Sequence, residues 1–123
     1  MNATPRKLLP VIERAKEVYR AWIPMRRDIP REERFGVGAK IDSLFLETFE
    51  TLRRATYANG KAKIDLLQQA IENIDSLRFF VQLAWELSLL TNTRYSTLGE
   101  GVENIGRMVG GWRKGLLSKT PAP

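Results

Sequence analysis

Neither cysteine nor histidine occurs anywhere in the 123 residues. That double absence removes disulfides, thiolate and imidazole metal ligands, and Cys–His and Ser–His–Asp nucleophile systems. It also removes the usual general base near neutral pH. A chain without cysteine is compatible with a reducing, cytoplasmic setting. Long apolar runs are missing too: no window approaches the roughly 18 uncharged apolar residues of a membrane span. The start, Met1 to Pro10, has neither a continuous apolar stretch nor a small-residue cleavage site, so no secretory leader and no membrane partner are expected. Strand-like alternation of apolar and polar residues does not appear either, which points to an all-α protein.

Carboxylate chemistry is the one enzymatic route left, and the acids do not favour it. They sit at helical spacing among cations, as Glu13 does with Lys16 and Glu17 with Arg20. Such surface pairs are worth a few tenths of a kcal/mol. A catalytic dyad needs two acids in one cleft with divergent pKa values, and nothing here signals one. No catalytic residue, metal ligand or cofactor site is expected, and the chain reads as a non-enzyme.

Positive charge is what the chain has in excess. Its formal net charge is +6, with 20 Lys and Arg against 14 Asp and Glu. Arg53, Arg54, Lys61 and Lys63 have no acid between them. Arg26, Arg27, Arg31 and Arg34 share a short span with Asp28, Glu32 and Glu33. After Glu103 every charged side chain is positive, Arg113 and Lys114 among them. Clustered cations draw phosphates by Coulomb attraction and counterion release. These ten residues are the candidate nucleic-acid contacts, against the plainer reading of a solubilising surface.

Four amphipathic segments account for most of the chain, and helices are predicted over about 5–24, 31–58, 61–90 and 97–117. In the first, Leu8, Ile12, Ala15, Tyr19 and Trp22 alternate steps of four and three along one stripe. Thr4 and Pro5 offer an N-cap and a first helical residue, and Pro24 is expected to close the helix. The second turns Phe35, Val37, Ile41, Leu44, Phe45, Thr48, Leu52 and Ala55 inward and stops at Asn59-Gly60. The third has two apolar seams: Leu67, Ile71, Ile74, Val81, Trp85 and Ser88 in one, Phe80, Leu83 and Leu87 within the other. A helix apolar on two sides is central in its bundle or shared with another chain. In the fourth, Leu98, Val102, Ile105, Val109, Trp112 and Leu116 follow heptad steps, and Thr97 with Glu100 matches a capping box. The final Thr-Pro-Ala-Pro is expected to be a short disordered tail. Short turns between four such helices favour one antiparallel up-down-up-down bundle over residues 1–123.

Gly36-Val37-Gly38 lacks the rest of a phosphate-loop pattern and follows no strand, so close helix packing is the better account of it. Gly106 and Gly110 form a Gly-x-x-x-Gly spacing in a helix that is too polar for a membrane. Glycine there costs about 0.5–1 kcal/mol against alanine, which suggests close approach to another helix or a partner. Phe80, Leu83, Leu87, Gly106, Gly110 and Trp112 are therefore the candidate packing or oligomer residues. Trp22, Trp85 and Trp112 all fall on stripes and are expected in the core. Truncating such a residue costs about 3–5 kcal/mol.

Several landmarks together resemble a known family. Tyr19-Arg20-Ala21-Trp22, then Ile29 to Ile41, are similar to the first half of the Avd-like four-helix-bundle proteins. Leu77 to Ala84 resembles their central helix. Ile105-Gly106-Arg107-Met108-Val109-Gly110-Gly111-Trp112 resembles their closing Gly-Arg-aliphatic-aliphatic-Gly-x-Trp signature. Avd proteins are accessory variability determinants of diversity-generating retroelements. The resemblance implies a barrel-like homopentamer that binds the element's reverse transcriptase and its template RNA, and possibly DNA, mostly through phosphates, supporting mutagenic retrohoming. It identifies no individual nucleic-acid contact. Four-helix proteins of bacterial ribosomal-RNA intervening sequences share the bundle, but they continue into Ser-Ile-Pro-x-Asn-Ile-Ala-Glu-Gly where this chain reads Ser43 to Glu50 with no proline or asparagine. The competing function is a structural or protein-interaction oligomer of that second kind, whose charge serves only solubility.

Overall fold

In the computed structural model, which describes residues 9–119, helix α1 spans Pro10–Asp28 and starts with proline at its first position. There the missing N–H has no intrahelical partner to lose. Helix α2 runs unbroken over residues 31–57. It comprises a first turn Arg31–Glu33, a π-helical turn Arg34–Gly38 and a regular stretch Ala39–Tyr57. Helix α3 is Gly60–Glu86 and helix α4 is Asn92–Lys119. The reversal between α2 and α3 depends on Gly60, whose φ of +56° lies in the left-handed region that glycine enters without a Cβ penalty.

Each helix packs on its chain neighbours, and α1 closes the ring against α4. Side-chain bonds give the directions. Arg94 at the start of α4 pairs with Asp28 at the end of α1 at 2.8 Å. Arg14 near the start of α1 donates to Asn104 Oδ1 at 2.7 Å. The two helices are therefore antiparallel, as are α3 and α4, joined by Arg78 with Glu103 and by Trp85 with Tyr95. The result is an antiparallel up-down-up-down four-helix bundle; among the described residues there is no strand.

One core fills the bundle axis. Trp22 from α1, Ile41, Phe45 and Leu52 from α2, Leu67, Ile74 and Leu77 from α3, and Leu98 and Ile105 from α4 are all buried in it. At Gly101, α4 lies against Val18 of α1, which fills the space a Cβ would need. Gly106 is a second tight glycine: a Cβ there would meet Arg78 and Ile74 of α3 at 3.3 and 3.4 Å. Gly110 has nothing within 4 Å of that position, so the Gly-x-x-x-Gly pair is not one packing motif within the chain.

Several expectations change. Pro24 lies inside α1 instead of ending it. Proline in a helix interior costs about 3 kcal/mol, but continuing the helix buries Met25 and delivers Ile29 to the core. Burying each such side chain is worth about 1.5–3 kcal/mol, which outweighs the proline. Helix α3 stops at Glu86 rather than 90. Ser88 takes a left-handed φ of 61°, Leu89 N–H reaches Ala84 O at 2.8 Å and Ser88 N–H reaches Trp85 O at 2.9 Å. This is a Schellman ending with serine where glycine is usual. Helix α4 starts at Asn92 rather than 97 because Thr91 Oγ1 accepts the Arg94 N–H at 3.1 Å. Thr97 and Glu100 thus lie inside the helix and form no capping box. It also runs on to Lys119, past the expected 117.

Burial corrects several more. Phe35 is 77% exposed and Val37 only half-buried, because the π-helical turn rotates Phe35 off the inward stripe. Trp85 is 38% exposed and Leu87 52% exposed; Ser88 is exposed as well. Trp112 is half-buried. Only Trp22 is a fully enclosed tryptophan. The proposed Thr4 cap, Pro5, Leu8 and the tail Thr120 to Pro123 lie outside the described residues, and α1 starts at Pro10 after an extended Leu9 rather than running through it from residue 5.

Candidate nucleic-acid interface

The antiparallel topology sorts the ten candidate cations into two groups at opposite ends of the bundle. Arg53 and Arg54 end α2, Lys61 and Lys63 begin α3, and Arg113 and Lys114 stand near the end of α4. Lys63 Nζ sits 5.8 Å from the centre of the Trp112 ring, which ties the α4 contribution to the α2–α3 turn. Three helices thus bring six cations to one end. Sequence spacing connects only the first four of them; the last two join through the fold.

At this end the ion pairs are exposed and lie within single helices. Arg53 makes a two-pronged contact with Glu50 at 3.0 and 2.7 Å, and Lys61 pairs with Asp65 at 2.7 Å. The Arg53 hydrogen bond holds the Glu50 carboxyl below its ordinary range, and the Asp65 hydrogen bond raises the Lys61 ammonium. Both pairs are exposed, where solvent screening leaves an ion pair within a helix weak. A phosphate can compete for either cation. Arg54 and Lys114 are exposed and make no salt bridge among the described residues. Arg113 is half-buried, with its Nε enclosed and without a hydrogen-bond partner among those residues.

The opposite end is built differently. Arg26 pairs with Asp42 at 2.9 Å. Arg34 folds back to donate to the Ile29 and Arg27 carbonyls at 3.1 and 3.3 Å, satisfying acceptors at the end of α1. Two of the four candidates there serve the fold directly. Arg27 and Arg31 are exposed and make no salt bridge among the described residues.

Asp42 organises that end, and the sequence reading passed over it. Its Oδ1 accepts from Tyr19 Oη at 2.9 Å and from Trp22 Nε1 at 3.3 Å while facing Arg26. One half-buried carboxylate therefore joins three α1 side chains to α2. Burial first, then the hydrogen bond to this carboxylate, raises the Tyr19 phenol above its ordinary value. The available signal was an acid placed directly after Ile41 on an otherwise apolar stripe.

The packing candidates separate too. Phe80 is half-buried against the core, with Lys40 Nζ 5.8 Å from its ring centre. Leu83 is half-buried and Leu87 exposed. Gly106 and Trp112 face inward to α3, whereas Gly110 meets nothing. No helix among the described residues is long and apolar enough to cross a membrane.

Comparison with known proteins agrees with this architecture. The family described as bAvd-like matches residues 10–116. A solved structure of a Bacteroides thetaiotaomicron protein from the S23 ribosomal protein family, described as being of unknown function, superposes with a TM-score of 0.75. It covers 85% of this chain and 95% of its own at 15% identity, a likeness of fold alone. No curated protein matches.

Proposed function

The chain belongs to the bAvd-like family, and from that premise we propose that it is a non-catalytic accessory protein of a diversity-generating retroelement. It binds the element's reverse transcriptase and its template RNA or cDNA, and supports mutagenic reverse transcription. It does so as a homo-oligomer, a barrel-like pentamer on the family pattern.

The observation that carries this reading is the convergence of Arg53, Arg54, Lys61, Lys63, Arg113 and Lys114 at one end of the bundle. Within α4 no acid follows Glu103, so the segment facing the α2–α3 turn offers only positive charge. Such a surface holds a phosphate backbone without reading bases, which suits a protein that must follow a template through copying. The lack of histidine and cysteine supports the non-catalytic part, since the usual nucleophile and base are missing.

Co-purification of the tagged protein with the neighbouring reverse transcriptase and template RNA, under increasing salt, tests the proposal. A ternary complex that weakens steeply with salt is the expected result. Recovery of the bundle alone at moderate salt would sink it and leave the structural-oligomer function.

A further inference from the structure

A groove of about 390 Å³ opens between α1 and α2, with the edge of the core as its base. Its walls have one register. Ile12, Lys16 and Arg20 line it from α1, and Phe49, Arg53 and Tyr57 from the antiparallel α2. Each set is spaced at i, i+4 and i+8, so the groove follows two helical turns over about 12 Å. Tyr19 and Phe49 meet edge to face at 5.5 Å in its floor, and Tyr57, 70% exposed, stands at its rim.

The polar atoms of this groove are turned elsewhere. Tyr19 Oη donates to Asp42, and Thr56 Oγ1 donates to the Leu52 carbonyl at 2.9 Å. What faces the opening is carbon, edged by cations. Lys16 has only a loose 3.5 Å pairing with Glu13, Arg53 has Glu50, and Arg20 is exposed with no salt bridge among the described residues. A nucleobase laid here would leave its donors and acceptors unmatched, which penalises burial. An apolar ridge of a helix flanked by carboxylates would satisfy both the floor and the rim.

We propose that this α1–α2 groove docks an amphipathic helix of a partner protein, one with acidic residues beside its apolar ridge. The inference rests on the protein-partner half of the proposed function and not on the nucleic-acid half. Arg20 meets the flanking carboxylate, Tyr57 covers the ridge, and Ile12 with Phe49 forms the seat.

The test uses the full chain and a fluorescein-labelled helical peptide of about 18 residues, with leucines at i, i+4 and i+7 flanked by glutamates. A second peptide replaces every glutamate with lysine. Anisotropy should show micromolar binding of the first peptide and none of the second. Arg20→Glu and Tyr57→Ala, both at exposed positions, should each weaken it about tenfold with the helical circular-dichroism signal unchanged. Failure of the glutamate peptide to bind below millimolar concentration overturns the proposal, as does equal binding by both variants. So does a single-stranded oligouridylate that loses affinity in those variants while the peptide is not held. A changed sedimentation coefficient of the Arg20→Glu protein alone would assign the groove to another copy of the chain, and would equally overturn it. Peptide binding that survives Arg54→Gln, Lys61→Gln and Lys63→Gln together, where RNA binding fails, separates this groove from the basic end.

Discussion

Gly101 of α4 lies so close to Val18 of α1 that a Cβ on residue 101 would stand 2.8 Å from one Val18 methyl and 2.9 Å from the other. Gly101→Ala should therefore destabilise, even though alanine is the better helix former. Overpacking costs about 1–3 kcal/mol and the propensity gain returns about 0.5–1, leaving a net loss of up to about 2.5 kcal/mol. Gly111 has nothing within 4 Å of its own Cβ position and is exposed. Gly111→Ala should stabilise by about 0.5–1 kcal/mol. Urea unfolding of both variants checks the opposite signs.

The tryptophans should divide just as sharply. Trp22 is fully buried and donates to Asp42, so Trp22→Ala should cost about 3–5 kcal/mol. Trp85 is stacked on Tyr95 at 4.7 Å but is 38% exposed. Trp85→Ala should cost less than Trp22→Ala, about 1–3 kcal/mol, because only part of the side chain is withdrawn from water. Equal shifts in thermal midpoint would contradict this packing.

Ser88 holds a left-handed conformation at the end of α3. For a residue with a Cβ that conformation costs roughly 1–2 kcal/mol. Ser88→Gly should raise stability by about 1 kcal/mol, and Ser88→Val should lower it. Chemical denaturation of the pair decides the matter, since neither substitution touches the core.

Tyr19 couples stability to alkaline pH. Its phenol is held above the ordinary 10.0, first by burial and then by the Asp42 hydrogen bond. The folded state thus keeps the proton more tightly than the unfolded chain does. The stabilisation is whole below pH 10.0 and is lost as pH rises through the folded value. Tyr19→Phe should lose about 1 kcal/mol near neutrality. Its deficit against the parent should shrink above pH 10.0. Thermal midpoints of the two proteins across pH 7 to about 11 measure that difference.

Salt dependence reports on the basic end. If Arg53, Arg54, Lys61 and Lys63 each neutralise one phosphate of a single strand, each glutamine replacement should lower the log–log salt slope by about 0.7. The quadruple variant should therefore lose nearly 3 units of slope. A weaker affinity with an unchanged slope would place the phosphates elsewhere.

Much of the fold was legible in the chain. The three-and-four spacing of Ile12, Ala15, Trp22, Ile41, Leu52, Leu98 and Val109 marks helical stripes because 3.6 residues complete a turn, and all seven are buried. Helix ends were less legible. Pro24 is a strong local stop, yet Met25 and Ile29 carry the helix past it through contacts that no local rule contains. Ser88 ends α3 without the glycine that usually marks such an ending. Thr91 rather than Thr97 caps α4, since Tyr95 stacks on Trp85 and draws another turn onto α3.

For the candidate site, the sequence by itself determined the charge excess, the missing nucleophiles and ligands, and the clusters that are contiguous in the chain. Those are properties of composition and short-range order. Only the tertiary structure decided that Trp112, next to Arg113 and Lys114 in α4, meets Lys63, that Arg26 and Arg34 are tied into the fold, and that a cation-rimmed apolar groove lies between α1 and α2. Each of those depends on which helix faces lie opposite one another. That pairing is set by side chains packing across the core, among them Val18 on Gly101, and not by the spacing along any one segment.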